Sequence, residues 1–201
     1  WTSTLPGDAT VSCDNVPQAP TLTAGDICSV VTVDYNQTIQ AGNCQGNYTI
    51  IRTWTATDAS GNSIVYTQTI TVQDLTAPTF VENLPTDVTV ECSAVPTAPT
   101  LTATDNCGTA TVTYNQVINQ GVCEGNYTIV RTWTATDLCN NQTTHTQTIT
   151  VQDTTHPTFN EALPADLTIE CSAVPTAPTL TATDNCGLAN VNYFESSTSG
   201  S

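Results

Sequence analysis

Motifs in this 201-residue chain return at an interval of 79 positions without insertion, so the chain must fold as copies of one unit. Trp54-Thr-Ala-Thr-Asp58 recurs as Trp133-Thr-Ala-Thr-Asp137, and Thr69-Ile-Thr-Val-Gln-Asp74 recurs as Thr148-Ile-Thr-Val-Gln-Asp153. Cys13, Cys92 and Cys171 keep the interval, as do Arg52 and Arg131, the only arginines. The division this predicts is 1–79, 80–158 and a partial third copy at 159–201. Any function is then carried by every copy or by the array, and a single catalytic constellation is not expected.

Within each copy the hydrophobic period is two. Tyr127, Ile129, Arg131, Trp133 and Ala135 alternate with threonines and a valine, and Gln147, Ile149 and Val151 alternate with threonines. β-Branched residues on that period predict half-buried antiparallel strands, and turn signals such as Asp105-Asn-Cys-Gly108 fall between them. The expected fold is all-β: tandem immunoglobulin- or fibronectin-III-like sandwiches of 79 residues.

A unit of this size buries a limited core and calls for covalent staples. Lysine is absent, which excludes Lys–Asn isopeptide bonds, so the nine cysteines must supply them. Repeat-locked cysteines predict disulfides in an oxidising, extracellular or cell-surface compartment, whereas zinc would need CxxC pairs or recurring histidines. With strands running alternately up and down, Cys92 and Cys123 fall at one end of a copy and Cys107 and Cys139 at the other. The expected bonds are therefore Cys13–Cys44, Cys92–Cys123 and Cys107–Cys139. Cys28 loses its partner to Ser60, and Cys171 and Cys186 stay unpaired in this segment.

The residues Trp54-Thr-Ala-Thr-Asp-Ala-Ser-Gly-Asn62, and Asp74-Leu-Thr-Ala-Pro-Thr-Phe80 after the next strand, resemble the hyalin repeat (HYR) family. The four-cysteine form, with Thr-Asp-Asn-Cys107 and Gly-Asn-Tyr-Thr-Ile-Val-Arg-Thr-Trp133, is similar to HYR-like repeats of Bacteroidota surface proteins. That resemblance implies an immunoglobulin-like fold, a place in gliding-type adhesins exported by the type IX system, and no catalytic residues. Ser60, in place of a cysteine, and the tail Ser196–Ser201 depart from the pattern.

Net charge is −16, from 18 acids against two arginines, which excludes a nucleic-acid partner and disfavours anionic lipid. Methionine is absent, which predicts a segment of a longer chain, and no apolar run reaches membrane-spanning length. The acids suggest calcium at the junctions between copies. Asp74 and Asp153 close one copy, and the next brings Asp105, Asn106 and Asp137, or Asp184 and Asn185, as hard oxygen ligands. The structural alternative is that these residues cap tight turns. Arg52 and Arg131 are read as forming an internal ion pair or stacking on the Trp of their strand, with Glu91 or Glu124 as partners in the second copy, rather than as ligand anchors. Asn36, Asn47, Asn126 and Asn141 begin Asn-X-Thr sequons, and Thr154 falls in a short Asp-Thr-Thr glycosylation motif.

The function expected is a stalk or rod segment of a large extracellular repeat protein, an adhesin or a surface filament. Its partners would be neighbouring repeats of the parent chain, or further copies in a filament. The alternative is that each repeat binds glycan or protein directly, which requires an exposed aromatic patch, yet strand parity turns Tyr48, Tyr127, Trp54 and Trp133 to one inward face.

Overall fold

The computed structural model describes residues 1–198. Its strands are β1 (Ala9–Ser12), β2 (Thr32–Ala41), β3 (Tyr48–Thr57), β4 (Ser63–Gln73), β5 (Thr79–Phe80), β6 (Val88–Glu91), β7 (Ala103–Thr104), β8 (Ala110–Gln120), β9 (Tyr127–Asp137), β10 (Gln142–Gln152), β11 (Thr158–Phe159) and β12 (Ala182–Thr183). One 3-10 turn, Cys92–Ala94, is the only helical element among the described residues. The fold is all-β and sandwich-like.

The long alternating runs become β3 and β9. Ile50, Arg52, Trp54 and Ala56 are buried along β3, and Ile129, Arg131, Trp133 and Ala135 along β9, while the residues between them stay half-exposed. This is the two-residue pleat expressed as burial. One four-stranded sheet has the order β1-β4-β3-β2 and the other the order β6-β10-β9-β8.

In the first sheet β2–β3 and β3–β4 are antiparallel hairpins, as expected, with Ala41 opposite Tyr48 and Tyr48 opposite Val72. The first strand departs from that expectation. β1 pairs with β4 in parallel, from Ala9 beside Ile70 to Ser12 beside Gln73, and β6 pairs with β10 in the same sense. A parallel pair needs a long connection, and here the proline-containing stretch after Cys13, β2 and β3 all lie between β1 and β4. That stretch crosses the inner face of the sheet, where the Arg52 guanidinium Nη2 donates to the Pro17 carbonyl at 2.6 Å and Leu22 is buried. Two antiparallel two-stranded ribbons, β5–β7 and β11–β12, pair separately from both four-stranded sheets.

By compactness the chain forms two units. One comprises Trp1–Leu84, Thr100–Tyr114 and Thr132–His145; the other comprises Pro85–Pro99, Asn115–Arg131 and Thr146–Ser201. In the first, Ile50, Ile70 and Val72 form a core against Val11, Cys13, Val16 and Tyr48. In the second, Ile129, Ile149 and Val151 are packed by Val90, Cys92, Val95 and Tyr127. Each fully buried aliphatic side chain contributes about 1.5–3 kcal/mol. In both cores a half-cystine lies beside the aliphatic cluster, so core and covalent link meet at one end of the sheet.

Candidate functional site

The cysteines of one copy bond to those of the next. Cys13 is joined to Cys107, Cys44 to Cys139 and Cys92 to Cys186, across 94, 95 and 94 residues. The expected pairs Cys13–Cys44, Cys92–Cys123 and Cys107–Cys139 do not form. Cys186 is bonded rather than free, and Cys123 is free rather than bonded, together with Cys28 and Cys171.

The physical reason lies in the width of the sheet. Cys13 and Cys44 do share one end, because Ser12 and the β2–β3 hairpin both flank the last residues of β4. Cys13, however, follows β1, on the far side of β4 from the hairpin. Two to three strand spacings separate them, roughly 10–14 Å, whereas bonded Cα atoms lie about 4.4–6.8 Å apart. Each cysteine instead meets a loop of the following copy, at Cα separations of 5.7 Å for Cys13–Cys107 and 5.2 Å for Cys44–Cys139.

Short polar residues position these loops. Asp105 Oδ1 accepts from the Cys107 amide at 2.8 Å, Asp184 Oδ1 from the Cys186 amide at 2.8 Å, and Asp137 Oδ1 from the Cys139 amide at 2.7 Å. Asn106 and Asn185 place their side-chain amides 3.7 Å from the sulfurs of Cys13 and Cys92. Gly46 sits against Asp74 and Cys107, and Gly125 against Cys186 and Asp153, so a Cβ at either position would collide with the junction. The hairpin tip is thus pared down to let the next copy approach.

The candidate calcium residues divide between two roles. Asp74 and Asp105 lie together beside Cys107, whose sulfur is committed to its bond, and Asp153 lies with Glu91 beside Cys186. Glu91 was not among the residues expected from sequence. Asp74 is buried; its amide is held by Asn47 Oδ1 at 2.7 Å, and its Oδ1 accepts from the Thr76 amide at 3.1 Å. Burial pushes the Asp74 carboxyl above the ordinary aspartate range, and the charges of Asp105, Asp137 and Asp14 push it the same way. Asp105 Oδ2 is buried without a hydrogen-bond partner.

Asp137 is instead satisfied by its own turn, accepting from the Cys139 and Asn141 amides and the Asn141 side chain. Its counterpart Asp58 does the same with Ser60 and Asn62. Asn106, Asp184 and Asn185 serve the cysteine loops. Thr154 Oγ1 donates to Glu91.

Arg52 is 3% exposed and bonds neutral groups: Gln37 at 3.1 Å, Gln68 at 3.4 Å and the Pro17 carbonyl. Arg131 likewise reaches Gln116 at 3.2 Å and the Pro96 carbonyl at 2.6 Å, where Glu91 or Glu124 had been expected. Trp54 and Trp133 are buried. Tyr35 and Tyr114, which also keep the repeat interval, lie against them with ring centroids 5.2 Å apart and the rings tilted, and remain nearly half-exposed.

The family described as the HYR-like domain with four cysteines matches residues 1–72 and again 80–151. The chain belongs to that family. Disulfide-bearing domains of this kind are typical of extracellular proteins. Among the described residues no helix is long and apolar enough to cross a membrane. Comparison with curated proteins returned no match. Among solved structures, Drosophila N-cadherin EC1-4 is similar at 12% identity and a TM-score of 0.29, over 72% of this chain and 47% of that one. The protocadherin gammaB7 EC3-6 cis-dimer structure is similar at 13% identity and a TM-score of 0.27, over 77% and 48%. The chain spans about half the length of these structures.

Proposed function

We propose that this chain is a load-bearing stalk segment of a large extracellular repeat protein, a cell-surface adhesin or surface filament. The observation that carries this reading is the covalent path. From the N-terminus, tension reaches Cys13, crosses to Cys107, runs back along the chain to Cys92 and crosses to Cys186. Strands β2, β3 and β4 lie off that path and cannot be drawn out while the bridges hold. Of the residues between Cys13 and Cys186, only the stretch from 92 to 107 extends, by roughly 50 Å at about 3.3–3.6 Å per residue.

Pulling the two ends of a single molecule tests this. The oxidised chain is expected to show no long unfolding step, and the reduced chain an extension several-fold greater. Equal extension in both states would overturn the reading.

A second reading concerns the same junction. We propose that calcium stiffens it, with Asp74 and Asp105 as the ligands of the first junction and Asp153 and Glu91 of the second. The buried, unpartnered Asp105 Oδ2 beside the crowded Asp74 carboxyl supports this reading.

A further inference from the structure

The inward-facing pattern of the first sheet runs on to a strand that is not buried. Along β3 the inward residues Ile50, Arg52, Trp54 and Ala56 are all buried. Their partners across the hairpin, Ile39, Gln37, Tyr35 and Val33, carry the same alternation onto β2. Yet Ile39 is 63% exposed and Tyr35 45% exposed. β2 is also the last strand in the order β1-β4-β3-β2, so among the described residues no strand pairs with its outer side.

The two edges of this sheet are built differently. β1 is four residues long and is soon followed by Pro17 and Pro20, features that discourage further pairing. β2 runs for ten residues without proline or glycine and with one charge, Asp34. β8, the matching edge of the second sheet, runs for eleven residues with no charge at all. In a chain of 18 acids these edges are neutral strips, where two copies of net charge −16 approach with least repulsion.

We infer that a second copy of this chain covers the edge. β2 of one copy pairs antiparallel with β2 of the other about a twofold axis, so that the two four-stranded sheets run on as one. An axis normal to the sheet keeps the inward faces of both copies on the same side, and the side-chain alternation then selects the register. Centred on Gln37, the pairing sets Tyr35 of each copy against Ile39 of the other, and Val33 against Ala41. Aromatic and β-branched residues placed opposite one another in this way stabilise a ladder. Sliding by two residues would set Gln37 against Tyr35 or Ile39 instead.

The centre is already ordered, because Gln37 Oε1 accepts from Arg52 Nε at 3.1 Å and from Tyr35 Oη at 2.8 Å. Asp34 falls opposite Gln40, which holds the two Asp34 carboxylates about 20 Å apart, well beyond the screening length of about 8 Å at physiological salt. β8 repeats the arrangement with Tyr114, Gln116 and Ile118, of which Tyr114 and Ile118 are about half-exposed. Both complete copies therefore offer the same edge. Nothing outside a copy enters the pairing, so it holds for one chain or for a longer array, and it is independent of load-bearing and of calcium.

Sedimentation equilibrium in EGTA tests the pairing, with the exposed thiols of Cys28, Cys123 and Cys171 capped by iodoacetamide. At about 0.5 mM chain a contact with a dissociation constant of about 0.1 mM is mostly paired, and the weight-average mass is expected to rise by about 1.5-fold or more. Amide exchange in β2 and β8 is expected to slow between dilute and concentrated samples, while that in β1 and β6 does not change. Ile39→Glu combined with Ile118→Glu sets like charges on both edges and is expected to leave the chain monomeric. Val65→Glu combined with Thr144→Glu adds the same charge at exposed positions on β4 and β10, away from both edges, and leaves the association intact. All four positions are solvent-facing or half-exposed, and retention of the three disulfides verifies that the variants are folded. A monomer throughout, association that survives the edge substitutions, association lost equally in the control pair, or exchange unchanged in β2 and β8 would each overturn the inference.

Discussion

Cys44 and Cys139 are 95 residues apart in sequence and bonded, so the tip of the β2–β3 hairpin is welded to the tip of the β9–β10 hairpin. The bond closes a long loop across two copies, and in the unfolded chain it removes much of the entropy of separating them. Changing both residues to Ser is expected to lower stability by about 2–5 kcal/mol. Cys123→Ser, at the equivalent but unbonded position, leaves stability within about 0.5 kcal/mol. Urea unfolding followed by circular dichroism measures both. Equal losses in the two variants would mean that the bridge does not hold the junction.

The strands that carry the core were legible because the alternation along Tyr48–Thr57 and Tyr127–Asp137 has only one period. The sorting of cysteines by end was legible for the same reason, since strand direction sends Cys13 and Cys44 one way and Cys107 and Cys139 the other. What sequence does not encode is lateral distance. Nothing in the spacing reveals that β1 joins the far edge of β4, in parallel, and that placement puts Cys13 out of reach of Cys44. The partners of Arg52 were illegible in a related way. Gln37 and Gln68 flank it from neighbouring strands, and Pro17 reaches it only because the return segment crosses the sheet.

Calcium at the first junction would bind the folded state alone and raise its melting temperature. At a calcium concentration 100 times the dissociation constant the gain is about 2.7 kcal/mol, or several degrees. Asp105→Asn is expected to abolish the response, while its amide oxygen still accepts from the Cys107 N–H and keeps the turn. Melting curves in calcium and in EGTA test this. An unchanged transition temperature in the native chain would remove calcium from the junction.

The raised carboxyl of Asp74 sets a pH dependence with a definite sign. A group whose folded pKa exceeds its unfolded value binds protons more tightly when folded, so stability falls as pH rises through the folded pKa. In EGTA at pH 7, Asp74→Asn is therefore expected to be at least as stable as the native chain. The difference should close as pH falls toward the ordinary aspartate value of about 3.9. A variant less stable at pH 7, with a gap independent of pH, would show that the ionised Asp74 is favoured by its surroundings.

Arg52 satisfies three acceptors from inside the sheet with one planar fork, which a lysine ammonium cannot reproduce. Arg52→Lys leaves at least one buried acceptor unmet and a desolvated point charge in place of the fork. The expected cost is about 3 kcal/mol, read from urea midpoints. A loss below about 0.5 kcal/mol would mean that the buried guanidinium is not what ties the return segment to the sheet.

Gly61 and Gly125 both hold left-handed backbone, with φ of 87° and 83°. They differ in what a side chain would meet. A Cβ at Gly61 faces open space, and Asn140 adopts φ 69° at the corresponding position of the second copy. A Cβ at Gly125 would come within 2.8 Å of the Cys186 Cβ and 3.1 Å of the Asp153 Cβ. Gly61→Ala is therefore expected to cost only the backbone term of about 1–2 kcal/mol. Gly125→Ala adds about 1–3 kcal/mol of overpacking and reduces the yield of the Cys92–Cys186 bond on refolding. Free-thiol titration after refolding measures that yield alongside the stability difference. If both variants lose the same stability and form all three bonds, the close approach of the hairpin to Cys186 is not what seats the third copy on the second.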